Sequence, residues 1–201
     1  MATCITEWIT TCANIMLSAT ALYSSYQLFK DHRAPSVGLF LLGLSAGLCT
    51  LRPSSSYLAS LLSEAEWASE VLAPALVSFG FLWLSEDRNT AHILLCGSCL
   101  FLALCDGLSS DALTLMTRCL VLSSLSCCLT VCLFSSNAVG ALGSVALSAP
   151  VLVAPKVGAE AVVPLLSPAV TEWLLKGSLS VGCWASTRGL NKFLLEVRTW
   201  D

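Results

Sequence analysis

The sequence predicts an all-α fold, a polytopic transmembrane helix bundle of about seven spans folded as tight helical hairpins, with six or eight spans as alternatives. Three observations predict it. First, the 201 residues are 56 % hydrophobic with a mean hydropathy of +0.79, more apolar side chain than one water-surrounded core of this size could bury. Second, charged residues make up 11 % of the chain, less than half of the roughly 25 % usual for soluble domains. Third, the apolar runs are long and rich in Leu, Ala and Ser without period-two alternation. Lipid offers no hydrogen bonds to the backbone, so spanning segments are helices or closed barrels, and the missing alternation removes the barrel.

The N-terminal MATCITEWITT lacks the basic region of a secretory signal, so the first apolar run is expected to stay as a span. Candidate spans are 6–29, 35–51, 68–84, 89–105, 112–134, 138–154 and 157–175, each near the length a bilayer core requires. Lys30 to Arg33 closes the first, and Pro35 is expected at the first helical position of the second, where its absent N–H costs nothing. Ser85 to Arg88 separates the third from the fourth, with Asn89 as the expected N-cap. The similar turns at Lys30 and Glu86 hint at a repeat of about fifty residues, the case for an eighth span.

Residues 1–176 are thus read as the bundle. Within them 52–67 is an interfacial linker that begins as a Pro53 to Ser56 loop and carries Leu58, Leu61, Leu62 and Ala65 at helical spacing. Residues 177–201 form either a cytoplasmic amphipathic tail, with Leu190, Phe193, Leu194 and Val197 opposite Arg188, Lys192 and Glu196, or the eighth span. With the N-terminus outside, Lys30, Arg33, Arg88, Lys176, Arg188, Lys192 and Arg198 fall on the cytoplasmic side against Arg52 and Lys156 outside. Seven to two satisfies the positive-inside rule. Trp8 and Trp67 then mark the outer interface, and Trp83 and Trp173 the inner one.

Arg118 is the charge that this scheme does not place at a span end. It lies about 10 Å inside the fifth span, where arginine costs at least about 2.5 kcal/mol on insertion scales. Snorkelling recovers part of that. A pair with Asp111, seven residues earlier, or with Glu70 is expected, and on that reading Arg118→Leu, Asp111→Asn and Glu70→Gln each lower folded yield. Glu70, Asp106, Asp111 and Arg118 form a candidate polar intramembrane cluster, either a helix staple or a cavity open to the outside for an anionic head group, an ion or a proton.

Other motifs resolve into packing. Gly43-Leu44-Ser45-Ala46-Gly47 matches a serine-nucleophile pattern, but that motif works at a strand-to-helix turn, and His92 is expected about 10 Å away in depth. Gly43 with Gly47, and Gly140 with Gly143, are instead candidate helix-packing surfaces, through which a membrane-protein partner could also dock. Cys127, Cys128 and Cys132 near the cytoplasmic end of the fifth span are candidate lipidation sites. Cys96 and Cys99 lack a second ligand pair, so no metal or cofactor is expected. Pro164 and Pro168 make the seventh span the candidate broken helix. The sequence has no basic cluster with stacking aromatics, and nucleic acid is not an expected partner.

The opening MATCITEWITTCANIMLSATALYSSYQLFKDHRAP resembles the start of the transmembrane protein 276 family of small animal multi-pass proteins. The resemblance implies a multi-pass membrane protein and adds no site residues. The expected function is a non-enzymatic membrane scaffold or accessory subunit whose constant partner is the lipid bilayer. A small transporter or channel is the alternative, and a lipid-modifying enzyme with Asp106 or Asp111 as general base is the second. Spans of seventeen or so residues favour a thin bilayer such as the endoplasmic reticulum or another endomembrane.

Overall fold

The computed structural model describes residues 2–51, 56–153 and 168–198. Among the described residues there are seven α-helices, one 3-10 turn and no strand: α1 Ala2–Leu28, α2 Arg33–Cys49, α3 Ser56–Leu84, α4 Arg88–Leu104, α5 Ser110–Phe134, α6 Ala138–Val153 and α7 Pro168–Arg198, with the turn at Cys105–Gly107 before α5. The all-helical expectation is met. By length and composition α3 and α5 are apolar enough to cross a membrane, while α2, α4 and α6 are shorter apolar helices.

Short links make neighbours in sequence antiparallel neighbours in space. The turns after α1, α3 and α5 lie at one end of the bundle, called here the hairpin end. Two of these turns share one geometry: Asp87 N–H donates to Leu82 O and Asn137 N–H to Cys132 O, with Glu86 at φ 65° and Ser136 at φ 51°. Each chain reversal thus puts a non-glycine residue in the left-handed region, where helix C-termini usually place glycine. The N-cap of α4 is Asp87, whose carboxylate accepts from Thr90 N–H at 3.2 Å, and not Asn89. The left-handed Glu86 ends the preceding turn early enough for the helix to begin at Arg88. Pro35 is the third residue of α2, behind His32 as N-cap, still within the first turn, where N–H groups lack intrahelical partners.

α3 is the central helix, packing against α2, α4, α5, α6 and α7, and α7 closes the bundle by lying against both α6 and α1. Val71, Ala73 to Ser78 and Gly80 to Leu82 of α3 are buried. Phe81 stacks on Phe193 of α7, with ring centroids 6.2 Å apart. Small polar groups fill the gaps between helices. Ser25 and Ser36 hydroxyls each donate to the other's backbone carbonyl at 2.9 Å, joining α1 to α2. Ser45 and Ser69 meet at 2.7 Å between α2 and α3, and Ser78 donates to Ser124 O on α5. Asn137 caps α6 through Gly140 N–H and ties it to Gly189 O of α7. Large apolar groups point the other way: Ile93, Leu133, Phe134 and Tyr26 are each more than 70 % exposed.

Two boundaries differ from the sequence reading. The segment read as an interfacial linker, 52–67, contributes its residues from Ser56 onward to one continuous α3, while 52–55 lie outside the described residues. The division at 176/177 falls inside α7, so the seventh helix is 168–198 rather than 157–175 with a separate tail. Apolarity alone had selected the greasier 157–175 stretch. Interhelical packing supports the polar-flecked stretch instead, whose serines and lysine are consumed inside the bundle. Pro168 opens α7, and Pro164 lies outside the described residues.

Candidate functional site

α7 carries Glu172 and Lys176 one turn apart, and α3 carries Glu66 and Glu70 with the same spacing. A helix sets side chains four residues apart on one face, so two such pairs on adjacent helices converge. Lys176 Nζ lies 2.9 Å from Glu66 Oε1 and 3.1 Å from Glu172 Oε1, and it donates to Asn14 Oδ1 of α1. Thr10 of α1 donates to Glu172 Oε2 at 3.0 Å, and Cys49 of α2 donates to Glu66 Oε2 at 3.6 Å. Glu70, half-buried, is within electrostatic reach of Lys176, Glu66 and Glu172. Three helices, α1, α3 and α7, therefore meet at the ammonium of a lysine side chain that is 9 % exposed, and α2 joins through Cys49 on Glu66. The four ionisable residues sum formally to −2 when all are charged, an excess of carboxylate that a shared proton would reduce.

This site lies toward the end of the bundle opposite the hairpin turns. Lys176 is eight residues after Pro168, about 12 Å along the helix. By sequence alone Lys176 groups with the basic residues at the other end, because the apolar stretch 157–175 ends beside it; the observed α7 runs on to Arg198. Trp173 moves with it.

The sequence-predicted cluster divides. Glu70 joins the Lys176 site. Asp111 and Arg118 lie exposed on α5, away from it. Asp106 sits in the 3-10 turn. Among the described side chains Arg118 forms no ion pair, so the expected pairs with Glu70 and Asp111 are not made. Glu66, Glu172 and Lys176 were missed as a set. Their spacing was legible, but Glu66 was assigned to a surface linker and Lys176 to a span end.

The glycines line close approaches. A Cβ on Gly43 would lie 2.9 Å from Leu22 of α1, and one on Gly47 2.9 Å from Ser18. On Gly140 it would meet Cys132 and Phe81, and on Gly143 the Ser186 backbone N at 2.5 Å. These four glycines therefore face helices of the same chain. Cys128 and Cys132 are buried with their sulfurs 4.0 Å apart, which leaves Cys127 as the member of the three that reaches the surface. Ser45 is taken up by Leu42 O and Ser69, whereas His92 sits edge-on to Phe79 and Trp83. Serine and imidazole serve different contacts. Among the described residues no group of His, Cys, Asp and Glu has the arrangement of a metal site.

No protein-family model and no solved structure matches the chain. Curated relatives do. The chain is similar to transmembrane protein 276 of Mus musculus, 26 % identical over 191 residues that cover 95 % of this chain and 96 % of the relative. It is similar to transmembrane protein 276 of Homo sapiens, 28 % identical over 94 % of this chain and 95 % of the relative. The Bos taurus protein of that name is 25 % identical over 196 residues. The resemblance carried by the first residues of the sequence thus extends along nearly the whole chain, to mammalian proteins whose name is that of a transmembrane protein.

Proposed function

We propose that this protein is a multi-pass integral membrane protein whose seven helices all cross the bilayer, N-terminus outward, and that it acts without catalysis as a scaffold or accessory subunit. One observation carries the membrane reading: large apolar side chains cover the outside of the bundle, while serines, threonines, asparagines and a lysine are buried among the apolar core of Leu17, Phe81 and Leu147. Water would disfavour that apolar outer surface. In lipid it is favourable, because interhelical contact there depends on close packing and polar bonds rather than on hydrophobic expulsion. The name borne by its relatives agrees.

With Lys176 and Arg118 both set aside as lying within the spanning parts of α7 and α5, Lys30, Arg33, Arg88, Arg188, Lys192 and Arg198 belong by sequence to the hairpin end, against Arg52 and Lys156 in the links at the other. Six to two still supports a cytoplasmic hairpin end. Trp8 and Trp173, both exposed, support an aromatic belt on the outer side. α2, α4 and α6 are 16 or 17 residues long, about 25 Å, which favours an endomembrane of modest thickness. Polar side chains, as at Ser45, Ser69 and Asn137, tie the helices of this chain to one another and give the rigid bundle that a scaffold requires.

The test is labelling of Ser110→Cys and Asn89→Cys with a membrane-impermeant maleimide, each compared with the parent chain. Ser110 should react only from the luminal or external side and Asn89 only from the cytosol. Reaction of both from one side removes the topology. A second reading, translocation of a proton or small cation, is favoured by the three carboxylates around Lys176. It predicts a flux in proteoliposomes that Glu70→Gln abolishes.

A further inference from the structure

At the hairpin end α1, α6 and α7 part to leave an open cleft of about 610 Å³, lined by Gln27, Val139, Arg188, Asn191, Lys192 and Leu195. Four of these come from one face of α7, at positions i, i+3, i+4 and i+7. That stripe includes the basic side of the amphipathic pattern that the sequence displays over its last residues. None of these side chains belongs to the Lys176 site.

The chemistry of the lining is specific. Arg188 offers a planar fork of N–H donors and Lys192 a point charge one turn further on, with the carboxamides of Asn191 and Gln27 beside them. Gln27 Nε2 donates to Tyr23 Oη at 2.7 Å. The acid at hand is Glu196, 3.5 Å from Lys192, and both partners are about half exposed, so this pair is loose and solvent-screened. Two cations against one carboxylate leave the cleft positive. Val139 and Leu195 supply apolar walls, with exposed Leu142 and Phe134 on neighbouring turns.

Depth identifies the ligand class. Arg188 is twenty residues beyond Pro168, about 30 Å along α7, which equals the thickness of a hydrocarbon core. Its guanidinium lies 5.6 Å from the Trp184 ring, the amphipathic pairing expected at headgroup level. We propose that this cleft binds the phosphate of an anionic phospholipid, with Arg188 and Lys192 holding the headgroup and an acyl chain following Val139 and Leu195. A soluble phosphate would have no use for the apolar walls. The proposal rests on the membrane reading above, since headgroup depth has meaning only for a chain that crosses lipid.

The test uses the full chain purified in detergent, with retained lipid measured by native mass spectrometry after exposure to equal amounts of phosphatidylglycerol and phosphatidylcholine. Wild type should retain the anionic lipid in preference by about tenfold or more, from two basic groups at the headgroup level. Arg188→Gln combined with Lys192→Gln should bring the ratio near one, whereas Arg188→Lys combined with Lys192→Arg should keep most of it. Glu196→Gln, which removes the competing carboxylate and needs no loss of the basic pair, should raise it.

No preference in wild type, an undiminished preference in the double glutamine variant, or a preference that Glu196→Gln lowers would each overturn the proposal. Displacement of the lipid by an equal concentration of inorganic phosphate or glycerol 3-phosphate would overturn the lipid as ligand. Orientation fails separately. Reversed labelling at Asn89 and Ser110 would leave the lipid ratio in detergent unchanged, and a chain that stays in water without detergent would fail the membrane reading before any lipid is added.

Discussion

Lys176 Nζ of α7 lies 2.9 Å from Glu66 Oε1 of α3, so the last helix is tied to the central one through a nearly buried ammonium. Glu172 and Asn14 complete its coordination. Removing one member of such a pair leaves the others desolvated and uncompensated. Lys176→Met should lower stability by about 3 kcal/mol, at the low end for buried pairs because Glu66 and Glu172 retain some solvent. Glu66→Gln should cost less. A double-mutant cycle followed by thermal unfolding in detergent checks the coupling, and additive losses would show that the contact carries no energy.

Close helix contact makes a second, sharper contrast. A Cβ on Gly143 would lie 2.5 Å from the Ser186 backbone N, while one on Gly97 meets nothing within 4 Å. Gly143→Ala should therefore force α6 from α7 and cost about 1 to 3 kcal/mol. Gly97→Ala should gain about 0.5 to 1 kcal/mol from helix propensity. Comparison of the two melting curves decides it.

Glu86 and Ser136 hold left-handed backbone at the two matching turns. Glycine has no Cβ to strain there, so Glu86→Gly and Ser136→Gly should each stabilise by about 1 kcal/mol. An unchanged or lower unfolding midpoint in both would mean that the turns relax.

Asp87 gives a pH dependence with a definite sign. The hydrogen bonds that its carboxylate accepts from Thr90 hold it below the usual aspartate range. A carboxyl with a lower folded than unfolded value stabilises fully above the unfolded value and loses that contribution as pH falls through the folded one. Stability should therefore decline below about pH 4, and Asp87→Asn, which keeps an N-cap acceptor, should flatten that part of the profile. Unfolding midpoints of wild type and variant across acidic pH check it.

Arg118 reverses an expectation. As a helix staple it would be needed for folding, yet it is exposed on α5 without an ion pair among the described side chains. Arg118→Leu should give folded yield equal to or above wild type, because leucine in lipid replaces a residue costing about 2.5 kcal/mol or more to insert. A drop in yield would restore the staple.

Helix starts and stops were legible wherever charge or proline interrupts an apolar run: α2, α4, α5 and α6 fall within two residues of their expected bounds. The starts of α1 and α3 and both ends of α7 were not, because apolarity marks what is greasy rather than what is helical. Gly177 to Arg198 is helical through contacts with the rest of the bundle, whereas Ser56 to Ala65, the first turns of α3, stays almost wholly exposed. The same limit hid the charge cluster. Glu66, Glu70, Glu172 and Lys176 show helical spacing, but no pattern within one segment tells which other segment it will face.

Composition and periodicity by themselves determined that this chain is helical and that lipid suits it, since both follow from counting apolar side chains along one strand of sequence. Only the tertiary structure decided that Lys176 meets Glu66 while Arg118 meets no described carboxylate. Ion pairing in a bundle depends on rotation about each helix axis and on which helices are neighbours. Those are fixed by the fit of small residues such as Gly143 against Ser186, a property of surfaces in contact and not of either segment alone.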